Sequence, residues 1–344
     1  MRFSLVFGVL LTALLGYAVY WFVLAGQIEQ AVHNWTQQQN DNGLTIAYDG
    51  LEVSGFPYRM QIEIRNVRLG AAGGAALPGG QGHWQWHTPL LVGNVLPYRF
   101  NHIVMRAPEP QQLVISGNSE TGRSYRLVPE IAQASLVLKA GQIERLAIDI
   151  SGARLSGSHI DDVALGRVQL HGCQTDTQDD RAAALELALQ AENIRYQPFS
   201  ETALGPLIET ARIKGALSGA TFSNDLSGLV KQGQAANRFQ LTAMQLRWGA
   251  LDLDAAGTVG LDTENRPEGA LTTRIAGYSD VLTALQHANQ LSLKEAQAAQ
   301  TALNLIALTA GRGDDTLSLP LVMRGGNLLL GPVRIARLPQ LQLR

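Results

Sequence analysis

The residues able to do chemistry are few and scattered, so the first question is whether any spacing gathers them. His83 and His87 in "HWQWH" come nearest to a metal pair. On a strand, His83, Gln85 and His87 share one face and Trp84 and Trp86 the other, and residues four apart stand about 13 Å from each other, too far for one Zn²⁺ ion. Ser158, His159 and Asp161 include the residue types of a hydrolytic triad, yet near neighbours on a strand point to opposite sides and cannot form the relay. The acidic pairs Asp161-Asp162, Asp179-Asp180 and Asp314-Asp315 lack the alternating ligand spacing of a calcium loop. Arg312-Gly313-Asp314 reads as a turn before a strand, and Cys173 stands without any metal or redox motif. The stretch Gly70 to Gly82, "GAAGGAALPGGQG", has no following helix or lysine to complete a phosphate cradle and reads as a loop. With no G-x-S-x-G, Walker or H-E-x-x-H motif, the expectation is a non-enzymatic protein with no catalytic residues, no metal and no cofactor.

What must position these residues is a β-rich scaffold. The chain has 344 residues, 35 of them glycine, with 6% aromatic and 16% charged residues, a composition of many turns and short strands. The net charge of −2 and the absence of any Lys/Arg run exclude a nucleic-acid partner, whose affinity rests on phosphate neutralisation. A single cysteine excludes an internal disulfide.

The N-terminus belongs to lipid. Phe3 to Ala25 carries no charge and as a helix is about 34 Å long, enough to cross a bilayer. Tyr17, Tyr20 and Trp21 gather toward its far end, where amphipathic rings favour the headgroup region. Val23-Leu24-Ala25 offers a signal-peptidase site, but the apolar stretch exceeds the roughly 7–15 residues of a signal-peptide core, and an uncleaved anchor is expected. Arg2 precedes the span and the next basic residue after it is Arg59, so the start is expected in the cytoplasm and the remainder in the periplasm, as a single-pass protein of a cell inner membrane. The organisation expected is an anchor over 1–25, a juxtamembrane helix over 26–43 with Ile28, Val32 and Trp35 on one stripe, and a β-rich domain over 44–344. That domain is either one sheet or two lobes divided near residue 200.

Beyond Gly43 the period is two. Leu44, Ile46 and Tyr48 alternate, as do Tyr58, Met60, Ile62 and Ile64, and similar runs recur at 136–138, 146–150, 185–194, 240–253 and 317–322. Between the first two runs, Gly55 can take the positive φ of a reversal, Phe56 offers an apolar plug and Pro57 lacks a donor, which together read as an edge turn or bulge. "FPYR" at Phe56 is echoed by "LPYR" at Leu96, each leading into a β-like run. Trp248 is expected to pack across a strand kinked at Gly249, or to face a ligand in an apolar groove. One helical pair near 279–300 breaks the pattern, its second member opened by a capping box at Ser292-Leu293-Lys294-Glu295; Leu303, Leu305 and Ala307 are read as a following strand.

The blocks "VSGFPYRMQIEIRNVRL" (Val53 to Leu69), "LRWGALDLDAAGTVGLDTENRPEGALTTRIAGY" (Leu246 to Tyr278) and "LSLPLVMRGGNLLLGPVRIARLPQL" (Leu317 to Leu341) resemble an uncharacterised family of membrane-anchored periplasmic proteins of Gram-negative bacteria, a domain of unknown function placed near the AsmA-like group. The resemblance implies a mainly β fold with minor α, in which a long, twisted antiparallel sheet curls around an apolar groove. It also implies membrane lipid as the partner and a role in envelope homeostasis, binding or passing acyl chains. The groove wall is then expected to include Tyr58, Met60, Ile62, Ile64, Trp84, Trp86 and Trp248. The alternative is a structural or assembly factor whose outer face engages an envelope protein.

Overall fold

The computed structural model describes residues 2–71, 82–117, 123–158, 160–175, 184–218, 238–287, 292–309, 316–331 and 333–340. The expectations for His159, Asp179-Asp180, Arg312 to Asp315 and most of the 70–82 loop lie outside them.

The anchor and the juxtamembrane helix form one helix, α1 (Arg2–Asp41). At about 1.5 Å per residue it is roughly 60 Å long, twice a bilayer's hydrocarbon core of about 30 Å. Its first half exposes Val6, Phe7, Leu10, Leu14 and their neighbours on all sides, as lipid requires. Its second half lies on the sheet along Trp21, Ala25, Ile28, Val32, Thr36 and Gln39, a spacing of three and four that keeps one stripe facing inward. Trp35, expected on that stripe, is instead exposed, and Thr36 and Gln39 take the inward positions. The helix ends before Gly43, whose φ of 93° reverses the chain, and Asn40 exchanges two hydrogen bonds with the Ile46 backbone at 2.6 and 3.2 Å.

Among the described residues eighteen strands form one antiparallel sheet. The first four are β1 (Leu44–Ala47), β2 (Gly50–Ser54), β3 (Met60–Ala71) and β4 (Gly82–Leu96). Next come β5 (Arg99–Arg106), β6 (Gln111–Gly117), β7 (Arg123–Val128), β8 (Ile131–Lys139) and β9 (Gln142–Gly157). β10 (Ile160–Thr175), β11 (Ala184–Tyr196), β12 (Leu207–Ser218), β13 (Arg238–Trp248) and β14 (Leu251–Leu261) follow. The last are β15 (Pro267–Ala276), β16 (Thr316–Arg324), β17 (Asn327–Leu330) and β18 (Val333–Arg337).

Short strands lie end to end and act as single rungs. β1 and β2 both pair with β3; β5 and β6 both pair with β4; β8 and β7 take the next place against β5 and β6, and both pair with β9. From β9 to β18 each strand pairs with the next. The rungs therefore stack in chain order and span on the order of 70 Å at ~4.8 Å per step. β11 and β12, which flank residue 200, pair along their length, so the sheet does not divide there. The accessible surface, 20678 Å², compares with about 13,600 Å² for a compact monomer of this mass, the excess expected of a sheet with no second layer over most of its area.

Two helices, α2 (Tyr278–His287) and α3 (Leu293–Thr309), follow β15. α3 runs on through Leu303 and Leu305, correcting the strand expected there: Leu303, 1% exposed, packs with Tyr278, Leu282, Ala296, Ala299, Ile275 and Leu317 between helix and sheet. The capping box forms as the sequence dictates. The Ser292 N–H and hydroxyl both reach Glu295 Oε2, at 3.0 and 2.8 Å, and the Glu295 N–H donates back to Ser292 Oγ at 3.3 Å. These bonds from Ser292, joined by Arg334 at 2.9 Å, pull the Glu295 carboxyl from its ordinary 4.5 to about 2. Because the folded value is the lower one, this stabilisation is complete above pH 4.5 and disappears as pH falls through about 2. Acidification across that window should weaken amide-exchange protection of α3 progressively, and Glu295→Gln should show the weakened state already at pH 7 with no further change on acidification.

Met60, 0% exposed, anchors the contact of α1 with the sheet, under Trp21 and Ala25. The indole N–H of Trp21 is buried without a hydrogen-bond partner among the described residues. The ring therefore contributes by packing alone. Trp21→Phe should retain most of the stability, whereas Trp21→Ala should cost about 3–5 kcal/mol, read from unfolding in detergent.

Candidate functional site

The sheet has two unlike faces, and register shows which side chains share each. Residues directly opposite in an antiparallel ladder lie on the same face. Ile62 stands opposite Gly93, Gly93 opposite Met105, and the row continues through Ala134, Ile148, Leu170, Leu189, Ile213, Met244 and Ala255. The row beside it runs from Met60 through Val95, Ile103, Leu136, Leu146, Gly172, Leu187, Gly215 and Leu241 to Gly257. A third row carries Ala132, Ile150, Val168, Ala191, Ala211, Leu246, Leu253, Ile275 and Leu317. In none of the three does a charged residue appear.

The other face is its opposite in chemistry. There Asp149 takes a two-point bond from Arg167 at 2.9 and 2.6 Å, Glu192 pairs with Arg212 at 3.3 Å, and Asp254 lies between Arg247 and Arg274 at 3.1 and 2.7 Å. The hydrogen bonds from Arg167 hold the Asp149 carboxyl below its ordinary range. A concavity of about 410 Å³ over Gln245, Asp254, Thr272 and Arg274 belongs mainly to this polar side.

Both ends of the apolar face are covered. At one end α1 packs on Met60 and Val53; at the other α2 and α3 pack on Leu253, Ile275, Leu317 and Leu246. Between them, across β5 and β8 to β12, most apolar side chains are half-buried or exposed, with Leu189 41% and its partner Ile213 38% accessible, while Leu185 is buried against Ile143, Leu146, Leu187 and Leu217 and Ala191 is buried in the third row. Five steps of ~4.8 Å make this open stretch about 25 Å long. It is an open apolar face of one sheet with helices at its two ends, and its chemistry is that of non-directional contact: no acid, base, nucleophile or metal set stands within its three rows. Among the described residues no group of three or more His, Cys, Asp or Glu side chains converges anywhere.

The residues expected on the wall have separate fates. Met60, Ile62 and Ile64 lie on the apolar face but at its anchored end, where Met60 and Ile62 are buried. Tyr58 is corrected: β3 begins at Met60, and Tyr58 is 84% exposed in the turn before it. Across Asn66, whose φ is 51°, the buried positions of β3 change from even to odd, and Trp84 packs beyond that break with Leu44, Ile46 and Ala71. Trp86 donates its Nε1 hydrogen to Gln111 Oε1 at 3.2 Å. Trp248 sits at the α2–α3 end, donating to the Gly205 carbonyl at 2.7 Å with its ring 4.9 Å from that of Phe199. Gly249 is no kink inside a strand: with Ala250 it makes the two-residue turn of the β13–β14 hairpin, its φ is 56°, and a Cβ there would come within 2.4 Å of the Leu204 carbonyl. His83 and Gln85 face solvent while Trp84 and Trp86 are half-buried, the alternation expected of that strand.

The turn at Gly55 to Arg59 is built as its residues dictate. Gly55 has a φ of 99°, the Arg59 N–H closes onto its carbonyl at 3.2 Å, and Phe56 plugs against Tyr17, Trp21 and Phe22 with ring centroids 5.6 to 6.2 Å away. Sequence reasoning missed the middle of the open face. The period-2 runs contain Ile148, Leu187 and Leu189, but which strands lack a covering layer depends on where the helices land.

A family of uncharacterised proteins conserved in bacteria, DUF2125, matches residues 21–339. The chain belongs to this family. No curated protein and no solved structure matches it. The DUF2125 match opens at Trp21, the residue at which α1 first becomes buried against the sheet, so it takes in the sheet-bound half of α1 together with the β-domain. For this DUF2125 protein, Leu189→Ser and Ile213→Ser should each shift stability by no more than about 0.5–1 kcal/mol, whereas Leu303→Ala should cost about 2–5 kcal/mol. Denaturant unfolding distinguishes the two, and a large loss at Leu189 would make the open face a core.

Proposed function

We propose that this protein is a non-enzymatic acyl-chain binder, held by α1 in the inner membrane of a bacterial cell with its β-domain in the periplasm. The observation that carries the reading is the uncovered, charge-free face between α1 and the α2–α3 pair. Soluble surfaces rarely keep a contiguous apolar area of this extent unless something binds it. Its length of about 25 Å exceeds the ~15 Å of hydrocarbon in one leaflet, so an extended chain fits along it. Rows of Leu, Ile and Met without polar partners suit a ligand recognised by apolar contact rather than by a headgroup.

Three further features support the location. A helix long and apolar enough to span lies at the N-terminus, Arg2 precedes it, and no basic residue follows until Arg59. The resemblance of the three sequence blocks to a family placed near the AsmA-like group supports the same class of role, in envelope lipid homeostasis.

The test uses full-length protein in membranes containing a phospholipid with a photoreactive acyl chain. Adducts should map to β8–β12, and Leu189→Asp combined with Ile213→Asp should abolish them while leaving the melting temperature unchanged. Adducts confined to α1, or none, would sink the acyl-chain reading. Protection of the same face by a co-purifying envelope protein would favour the assembly-factor alternative.

A further inference from the structure

The two Pro-Tyr-Arg segments that echo each other in the sequence meet in space at one level of α1. The Tyr17 hydroxyl donates to the Pro57 carbonyl, and the Tyr20 hydroxyl donates to the Pro97 carbonyl at 3.2 Å. Each proline opens a turn tip, β2 to β3 in the first case and β4 to β5 in the second. Among the described residues, every exposed aromatic side chain of the β-domain lies on these two turns: Phe56 and Tyr58 on one, Tyr98 and Phe100 on the other. Tyr58 is 84% and Tyr98 79% exposed. Arg59 and Arg99 stand exposed directly after the tyrosines and join no ion pair among the described residues.

The level at which this cluster sits decides what it faces. Tyr17 to Trp21 precede the end of the apolar run at Ala25 by four to eight residues, about 6–12 Å along the helix. A core of ~30 Å counted from Phe3 ends near residue 23. If α1 spans the bilayer, the turns bonded to Tyr17 and Tyr20 therefore lie within about 5–9 Å of the boundary between hydrocarbon and headgroups. Tyrosine, with an apolar ring and a polar tip, favours that zone, and an unpaired guanidinium beside it matches a lipid phosphate in a two-point bond. A tip meant for water would not place its aromatic rings outward beside a lipid-facing helix.

We infer that the Phe56–Arg59 and Leu96–Phe100 turns dock into the headgroup layer of the membrane that α1 spans, with Arg59 and Arg99 on lipid phosphate. This rests on the anchor reading above and deepens it. The second apolar row begins at Met60, Val95 and Ile103, immediately behind these turns, so the docked tips place the start of that face against the leaflet.

Single cysteines test it in the full-length chain carrying Cys173→Ser, reconstituted in nanodiscs of phosphatidylethanolamine and phosphatidylglycerol. An environment-sensitive fluorophore is placed by Tyr58→Cys or Tyr98→Cys, with Leu14→Cys as the deep control and Asp41→Cys, about 40 Å further along α1, as the aqueous one. The expected result is several-fold stronger quenching by shallow spin-labelled lipid at 58 and 98 than at 41, with 14 quenched by deep spin labels. Deep quenching at 14 with 58 and 98 behaving like 41 would overturn the docking and leave the anchor standing. No quenching at 14 would remove the anchor and the docking together. Arg59→Glu with Arg99→Glu should reduce shallow quenching at 58 and 98 several-fold, and unchanged quenching would overturn the phosphate contact.

Discussion

The structure depends on a mismatch: a sheet with one polar and one apolar face, and too little helix to cover the second. Backbone hydrogen bonding is satisfied rung by rung and makes no demand for another layer. The hydrophobic effect does, and over most of the sheet it is answered only by neighbouring side chains in the same face. A β-sandwich would close a second sheet over it, and an α/β fold would place helices along its whole length. Among the described residues helices cover this face at two places, one supplied before the first strand and one pair inserted late, after β15. What they leave open follows from that arithmetic rather than from a specialised pocket.

The same mismatch explains what could be read from residues and what could not. Period-2 alternation revealed the strands because each has one wet side; Leu44-Ile46 and Met60-Ile62 are cases where the apolar position is also the buried one. Local chemistry revealed the caps and turns: Ser292 to Glu295 fold as their types require, and Gly55 adopts the positive φ that made it a breaker. The errors arose where local pattern carries two meanings. Leu303, Leu305 and Ala307 satisfy both periods, and packing of Leu303 against Ile275 and Leu317 decides for helix. Trp248-Gly249-Ala250-Leu251 looks like one run because both flanking strands keep their alternation through a two-residue turn. Tyr58 continues the parity of Met60 yet lies before the strand, on a turn held by α1. The open stretch was legible as a face but not as a site, since exposure of Leu189 and Ile213 depends on elements more than sixty residues away in sequence.

α1 joins two environments in a single rod. Exposed apolar residues occupy it up to about Tyr20, and from Trp21 onward a stripe of the same helix belongs to the protein core. The apolar half of the helix and the sheet are therefore not connected by a linker that could swivel, and the orientation of the first rungs is tied to that of the helix. The tyrosine hydroxyls on Pro57 and Pro97 reinforce this coupling at the level where the two environments meet.

Strand order equal to chain order has a consequence for biogenesis and for lineage. Each rung needs only the rung before it as a template, so the chain can add strands one by one onto an edge already seated on α1, with sequence-local closures at most steps and longer ones before β13 and β16. The growing edge is always the newest strand, and the helical pair arrives only after β15 has formed. By the same logic, gain or loss of one hairpin lengthens or shortens the platform by two rungs without disturbing any other pairing, which makes length the feature of such a protein most open to evolutionary change.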